Sequence, residues 1–279
     1  MSAHTELQLN AAGSFILGLS ADVVAVLATQ PLDVVKSYKQ SGKFEELKAL
    51  FRNTKGIPPV GKLWHGSVAN CAGAVPQGGL PFLINALTAR YLFKSDSLSD
   101  SQLVTNGMMT GLITACFVAP LDRVGKEQQF HGGSTLQASQ RTLRQHGMRG
   151  LFKAIPPIAA RDAIVFGTFF GGRKVVESRL QEYIPQDALR ETVASATTGA
   201  FAGGLSNAFD RANTLMQEDK AGAYPTLRRT LQTIVQKEGV KGLATKGGGI
   251  RSLFMGAYYI ALGGASERIK PHLTTVFGT

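Results

Sequence analysis

Charge is what this chain is shortest of. Asp, Glu, Lys and Arg make up 18% of its 279 residues, against about a quarter in soluble domains. Cysteine is nearly absent too: Cys71 and Cys116 are the whole supply, which excludes a disulfide framework and fits a reducing setting. Residues 1–10 hold no basic segment ahead of the first apolar run, so no cleaved secretory signal is expected and any import signal is expected to be internal. The five histidines (His4, His65, His131, His146 and His272) show no ligand spacing. No glycine loop fits a phosphate cradle, and no nucleophile–base pair stands out. An enzyme, a metal site and a cofactor are therefore not expected.

What is present is base, glycine and apolar length. The formal charge is +11 with a pI near 9.8, which suits nucleic acid or a surface rich in anionic lipid. The bases are spread among loops with no reading motif, so nucleic acid is not expected as a partner. Glycine contributes 32 residues and apolar types 44%, as where helices pack closely in lipid. Residues 67–89, 103–121 and 192–209 contain no formal charge. Each is about long enough to cross a hydrocarbon core of roughly 30 Å as a helix. Three further runs are less clean: 7–32 is interrupted by Asp22, 156–172 carries Arg161 and Asp162, and 252–266 is short. Six candidate spans result. Spans this polar line a water-filled cavity rather than facing lipid all round.

The chain also repeats itself. Pro31-Leu32-Asp33 followed by Gln40 recurs as Pro120-Leu121-Asp122 followed by Gln129, and again as Ala208-Phe209-Asp210 followed by Gln217. The acids at 33, 122 and 210 are spaced by 89 and 88 residues, and each glutamine follows its acid by seven. Seven residues are two helical turns, so acid and glutamine share a face. Proline inside such a pattern is expected to bend or end the helix. After each motif comes a short amphipathic helix, at 44–52, 136–145 and 226–237, then a glycine and a junction: Leu63-Trp64-His65-Gly66, Leu151-Phe152-Lys153-Ala154 and Leu243 to Gly247. A new apolar run follows each junction.

These residues resemble the mitochondrial carrier family, whose signature is Pro-x-acid-x-x-base at the end of each odd-numbered helix with glutamine beyond. PLDVVKSYKQ at 31–40 matches in full. In PLDRVGKEQQ at 120–129, Gly125 replaces the base and Lys126 follows it; in AFDRANTLMQ at 208–217, Ala208 replaces proline and Asn213 the base. The resemblance covers roughly residues 11–270. It implies an all-α membrane protein of six transmembrane helices in three pseudo-symmetric repeats with short matrix-side amphipathic helices. One carrier domain over 1–279 is expected, with repeats at about 7–95, 100–182 and 188–271. It further implies a monomeric solute transporter of the mitochondrial inner membrane, working as an antiporter by alternating access through a central cavity.

The resemblance also assigns roles. A ring of Asp33, Lys36, Asp122, Lys126, Asp210 and Asn213, braced by Gln40, Gln129 and Gln217, is expected to gate the matrix side. Asp210 should pair with Lys36, Lys126 should reach Asp33 from a shifted position, and Asn213 should give Asp122 only a neutral hydrogen bond. Arg123 and Arg211 are candidate substitutes for the missing bases. The opposite gate is barely represented, which leaves strict exchange open. Arg161 and Asp162 fall at the substrate contact of the fourth helix, as in the amino-acid branch of the family. Guanidinium and carboxylate suit a zwitterion. Adjacent helix positions diverge by about 100°, so the two are not expected to neutralise each other. Gly73 and Gln77 on the second helix, Phe254 on the sixth and Asp22 on the first complete the candidate substrate site; Arg251 is expected to be structural. Trp64, Gly66, Phe152, Lys153, Lys246 and Gly247 precede helix starts, where phosphate is favoured, and the resemblance suggests the lipid cardiolipin there. Other cargoes within the family's range are carboxylates or keto acids and nucleotides, and a non-transporting interaction protein is the remaining alternative.

Overall fold

The computed structural model describes residues 9–41, 44–52, 63–64, 67–93, 98–218 and 222–278. Their regular structure is helical, apart from one isolated bridge that ties Leu9 to Gly278. In chain order the helices are α1 (Ala11–Ser41), α2 (Phe44–Arg52), α3 (Ser67–Ala74), α4 (Leu80–Thr88), α5 (Asp100–His131), α6 (Thr135–Phe152), α7 (Ile155–Phe166), α8 (Arg173–Leu180), α9 (Asp187–Glu218), α10 (Leu227–Thr245) and α11 (Gly248–Phe277). A π-helical turn at Val75–Gly79 joins α3 to α4, another at Ala89–Phe93 extends α4, and a third at Gly167–Gly172 joins α7 to α8. Six spans result: α1, α3–α4, α5, α7–α8, α9 and α11. The shorter α2, α6 and α10 follow the odd-numbered spans.

The spans form a closed ring. α1 packs on α3–α4 and on α11, α3 and α4 on α5, α5 on α7, α7 on α9, and α9 on α11. The ring is polar inside and apolar outside. Thr29, Gln30, Ser37, Asn106, Thr110, Thr114, Ser206 and Asn207 are buried, while Leu27, Leu112, Phe117, Phe201, Leu205 and Leu253 are exposed. That inversion suits a bundle whose outer surface meets lipid and whose interior holds water. Ala11–Gln40 and Asp100–Gln128 are each long and apolar enough to cross a membrane. The other spans are more polar and depend on their neighbours.

Pro31 and Pro120 lie inside α1 and α5, which run on to Ser41 and His131 instead of ending there. The sequence past each proline explains the continuation. Val34, Lys36, Ser37, Tyr38 and Gln40 are buried, and Val34 and Tyr38 pack on Leu47 of α2. Tertiary contact outweighs the lost backbone donor. α5 and α6 begin with full capping boxes, Ser99 with Gln102 and Ser134 with Gln137, and the Thr226 side chain caps α10. α2 matches its amphipathic pattern, while α6 and α10 run further than theirs. Each of these two is broken by the glycine of the repeat: Gly147 (φ +63°) and Gly239 (φ +73°) sit in left-handed backbone that other residues rarely adopt.

Candidate functional site

The three motifs bring their charges to one end of the ring, around a cavity of about 890 Å³ counting the open space at its mouth. Its lining includes Asp33 and Lys36 from α1, Asp122 and Lys126 from α5, Arg161 and Asp162 from α7, and Arg251 and Phe254 from α11. Asp210 of α9 is fully buried beside it.

Asp210 is the hub. Its Oδ2 lies 2.7 Å from Arg251 Nη1 and 3.6 Å from Lys36 Nζ, and its Oδ1 is 3.3 Å from Arg161 Nη1. Gln40 Nε2 donates to Oδ2 at 2.9 Å. Lys36 is held more tightly by its own Asp33, at 2.6 Å, and stands over the Phe254 ring at 4.4 Å. Asp122 accepts from Asn213 Nδ2 at 2.9 Å and from Gln217 Nε2 at 2.6 Å, and lies 3.7 Å from Arg161 Nη1. Gln217 also donates to Asn213 Oδ1 at 2.7 Å. Gln129 lies in α5, but its side chain is outside the described residues.

Several pairings differ from those read along the chain. Arg161 and Asp162 do meet, with Nε 2.7 Å from Oδ1, because the long arginine stem spans the angle between adjacent helix positions. Lys126 is buried on the cavity wall with no ion pair within 4 Å among the described residues. Gly125 leaves its place to Asn70, whose Oδ1 lies 2.8 Å from where a Cβ would stand, and Asn70 Nδ2 donates to Gln30 at 2.9 Å. Arg211 does not replace a ring base. It turns to α10, where Nη2 donates to both Glu238 oxygens at 2.6 and 2.7 Å and Nη1 to the Gly242 carbonyl at 3.1 Å. Those donors hold the Glu238 carboxyl below its ordinary range. Arg251 belongs to the network and not merely to the scaffold, since Ser206 Oγ accepts from its Nε and Nη2 at 3.2 and 3.0 Å while Nη1 holds Asp210. Its position inside the first turns of an apolar span was the available clue, the same one that singles out Arg161.

Of the remaining candidates, Gln77 reaches the cavity from the first π-helical turn. Gly73 is buried behind it and absent from the lining. Asp22 also stays off the wall and does not reach Arg161. It accepts from the Tyr258 hydroxyl, and its Oδ2 has no hydrogen-bond partner among the described residues. The helix contact admits this carboxyl because Gly78 faces it, where a Cβ would come within 2.3 Å of Asp22 Cβ. Phe254 stacks on Tyr258 with ring centroids 6.0 Å apart.

Of the lipid candidates, Trp64 is exposed and its indole N–H donates to the Leu27 carbonyl at 3.3 Å. Phe152 is exposed and Lys153 precedes the start of α7. Lys246 donates to Glu238 at 3.1 Å, and Gly247 caps the start of α11 in left-handed backbone. Gly66 lies outside the described residues.

Away from the motif end the spans meet through rings. Phe82 of α4 packs edge-on against Phe170 with centroids 5.1 Å apart, Phe169 packs edge-on against Phe170 at 5.2 Å, and Phe169 against Tyr259 of α11 at 5.1 Å. Arg173 lies 5.4 Å from the Phe169 ring and 3.4 Å from Glu267.

Comparison with known proteins fits this architecture. The family described as mitochondrial carrier protein matches three times, over residues 7–96, 97–183 and 185–276. The chain is 29% identical over 253 residues to S-adenosylmethionine carrier 1, chloroplastic/mitochondrial, of Arabidopsis thaliana, covering 87% of this chain and 73% of that protein. It is 25% identical over 248 residues to the mitochondrial arginine transporter BAC2 of the same plant, covering 83% of each. With the mitochondrial glycine transporter of Aspergillus niger the identity is 23% over 259 residues, covering 82% of this chain and 80% of the other. Three successive matches over nearly the whole length, on six spans ringed about a polar cavity, make this chain a divergent member of the mitochondrial carrier family, whose members are transporters.

Proposed function

We propose that this chain carries an amino acid or a related small zwitterion across the mitochondrial inner membrane by alternating access, with the motif end facing the matrix. The observation that carries the reading is the pair Arg161 and Asp162, bonded to each other on the cavity wall. A zwitterion offers a carboxylate to the guanidinium and an ammonium to the carboxylate, so each half of the pair has a counterpart in the solute. The surrounding charge supports a solute of small net charge. Asp33, Asp122, Asp162 and Asp210 stand among Lys36, Lys126, Arg161 and Arg251, so neither sign is in excess. Three of the similar proteins are compatible with it, since S-adenosylmethionine, arginine and glycine all carry an α-amino acid group, while another, a probable 2-oxodicarboxylate carrier of Dictyostelium discoideum, keeps the carboxylate alternative.

In this reading Gln77, Phe254 and Tyr258 shape the pocket beside the charged pair. Gly73 gives Gln77 room, and Asp22 anchors Tyr258. The ring of Asp33, Lys36, Asp122, Asp210 and Asn213, with Gln40 and Gln217 beneath it, closes the matrix side. The chain works as a monomeric single domain, with anionic lipid such as cardiolipin at the starts of α3, α7 and α11. Purified protein in liposomes, offered labelled amino acids, carboxylates, keto acids and nucleotides with and without internal counter-solute, is the test. Uptake of an amino acid supports the reading. Uptake of dicarboxylates or nucleotides alone replaces the cargo, and no uptake at all removes the transport function.

A further inference from the structure

The internal repeat leaves the ring short of bases. Lys36, Gly125 and Asn213 occupy the same register of the three motifs, so α5 and α9 bring no cation to that position. The cation comes from another element. Arg161, on α7 between α5 and α9, reaches both, with Nη1 3.7 Å from Asp122 and 3.3 Å from Asp210. We propose that Arg161 is at once the cation that closes the motif end and the ligand for the solute carboxylate, so that binding of the solute itself withdraws the cation that holds the gate. This deepens the carrier reading above and rests on it.

The atoms of the guanidinium carry the argument. Nε is taken by Asp162 at 2.7 Å. Nη1 serves two acids at separations longer than the roughly 2.7–2.9 Å of a strong charged hydrogen bond, so neither hold is tight. Nη2 makes no hydrogen bond among the described residues. An arriving carboxylate takes two parallel N–H bonds, and the edge open to it is Nη1–Nη2. It therefore competes for the nitrogen that bridges Asp122 and Asp210. Asp210 keeps Arg251, Lys36 and Gln40 after that exchange, whereas Asp122 keeps the amides of Asn213 and Gln217 and, beyond 4 Å, the charge of Lys126 one turn along α5. The join between α5 and α9 is the one that weakens. A solute shifts a two-state equilibrium only through a difference in its affinity for the two states; here the closed state holds back part of the solute's own ligand.

The arrangement predicts coupling between Arg161 and position 213 with no solute present. Asn213→Lys would set a base beside Asp122, as Lys36 stands to Asp210. Thermal unfolding in detergent is compared for the wild type, Arg161→Ala, Asn213→Lys and the double variant. Arg161→Ala should lower the midpoint by a few degrees, Asn213→Lys should raise it, and the loss from Arg161→Ala should shrink by at least about half in the Asn213→Lys background. Additive shifts would overturn the shared role. If Arg161→Ala gives no folded protein, Arg161→Lys is read in the same cycle, because an ammonium keeps the charge but cannot bridge two acids and a third through separate nitrogens.

Transport supplies the second readout. Asn213→Lys frees Arg161 for solute yet removes the solute's leverage on the gate. KM should fall while the maximal rate falls roughly tenfold; an unchanged rate would count against the inference. Failure of the carrier reading looks different. Intact thermal coupling with no uptake of any solute would leave Arg161 a gate cation alone and overturn its double role, whereas normal amino-acid uptake with additive thermal shifts would keep the carrier and remove only the shared arginine.

Discussion

At the motif end, aspartates and bases from α1, α5, α7, α9 and α11 meet around a cavity. Nearer the other end, Phe82, Phe169, Phe170 and Tyr259 lock the even-numbered spans through ring edges, with Arg173 and Glu267 as a minor polar supplement. The difference bears on how each end can open. Ionic bonds in a cavity can be exchanged with a polar solute, and the exchange costs little for the arginine because it trades one carboxylate for another. An aromatic cluster offers no such exchange. It separates only when the helices move, and then it exposes apolar surface. In the carrier reading, the solute acts directly on the motif end, while the aromatic end follows through helix movement.

The sharpest way to break that contrast is Arg161→Ala. Uptake of the carried solute should fall at least about a hundredfold, as for loss of a charged ligand worth roughly 3 kcal/mol, while the protein still inserts and folds. Normal uptake in liposomes would take Arg161 out of both roles. Next in size is Phe169→Ala at the aromatic end, where the side chain is 4% exposed. Its loss should cost about 3 kcal/mol of stability, as for other large-to-small changes at buried rings. The thermal midpoint should drop more than in any single replacement of a charged residue at the motif end; the reverse order would show that the ionic end bears the structure. Removing the Arg173 charge with Arg173→Gln should cost less than about 1 kcal/mol, because its partner Glu267 is 44% exposed.

The smallest effect concerns Glu238, outside the spans. Arg211 holds its carboxyl below the ordinary range. The stability this adds is complete above the ordinary glutamate value of about 4.3 and is lost as pH falls through the lowered one. Glu238→Gln should flatten the acid side of the thermal-stability profile and change little at neutral pH. An equally steep acid loss in the variant would assign that slope to other carboxylates.

Much of this was legible along the chain. The period of the Pro-x-Asp motifs, the glutamine two turns on and the glycine before each junction gave the six spans and their order, because each is a local pattern recurring at nearly fixed distance. Arg161 and Asp162 stood out because charge inside an apolar run needs a partner. The helix ends were less legible. α1 and α5 continue past their prolines because α2 and the ring bury the following turns, a contact invisible to propensity.

Pairing was decided only by the tertiary structure. The sequence by itself determined that acids lie at 33, 122 and 210 and that bases are missing at 125 and 213. It could not show that Arg161 spans the gap, that Arg251 joins Asp210, or that Arg211 turns away to Glu238. Register fixes which face of a helix a residue occupies. Which side chain it meets across the ring depends on how far neighbouring helices stand apart and how long each stem is, and a difference of an ångström or two separates a hydrogen bond from none.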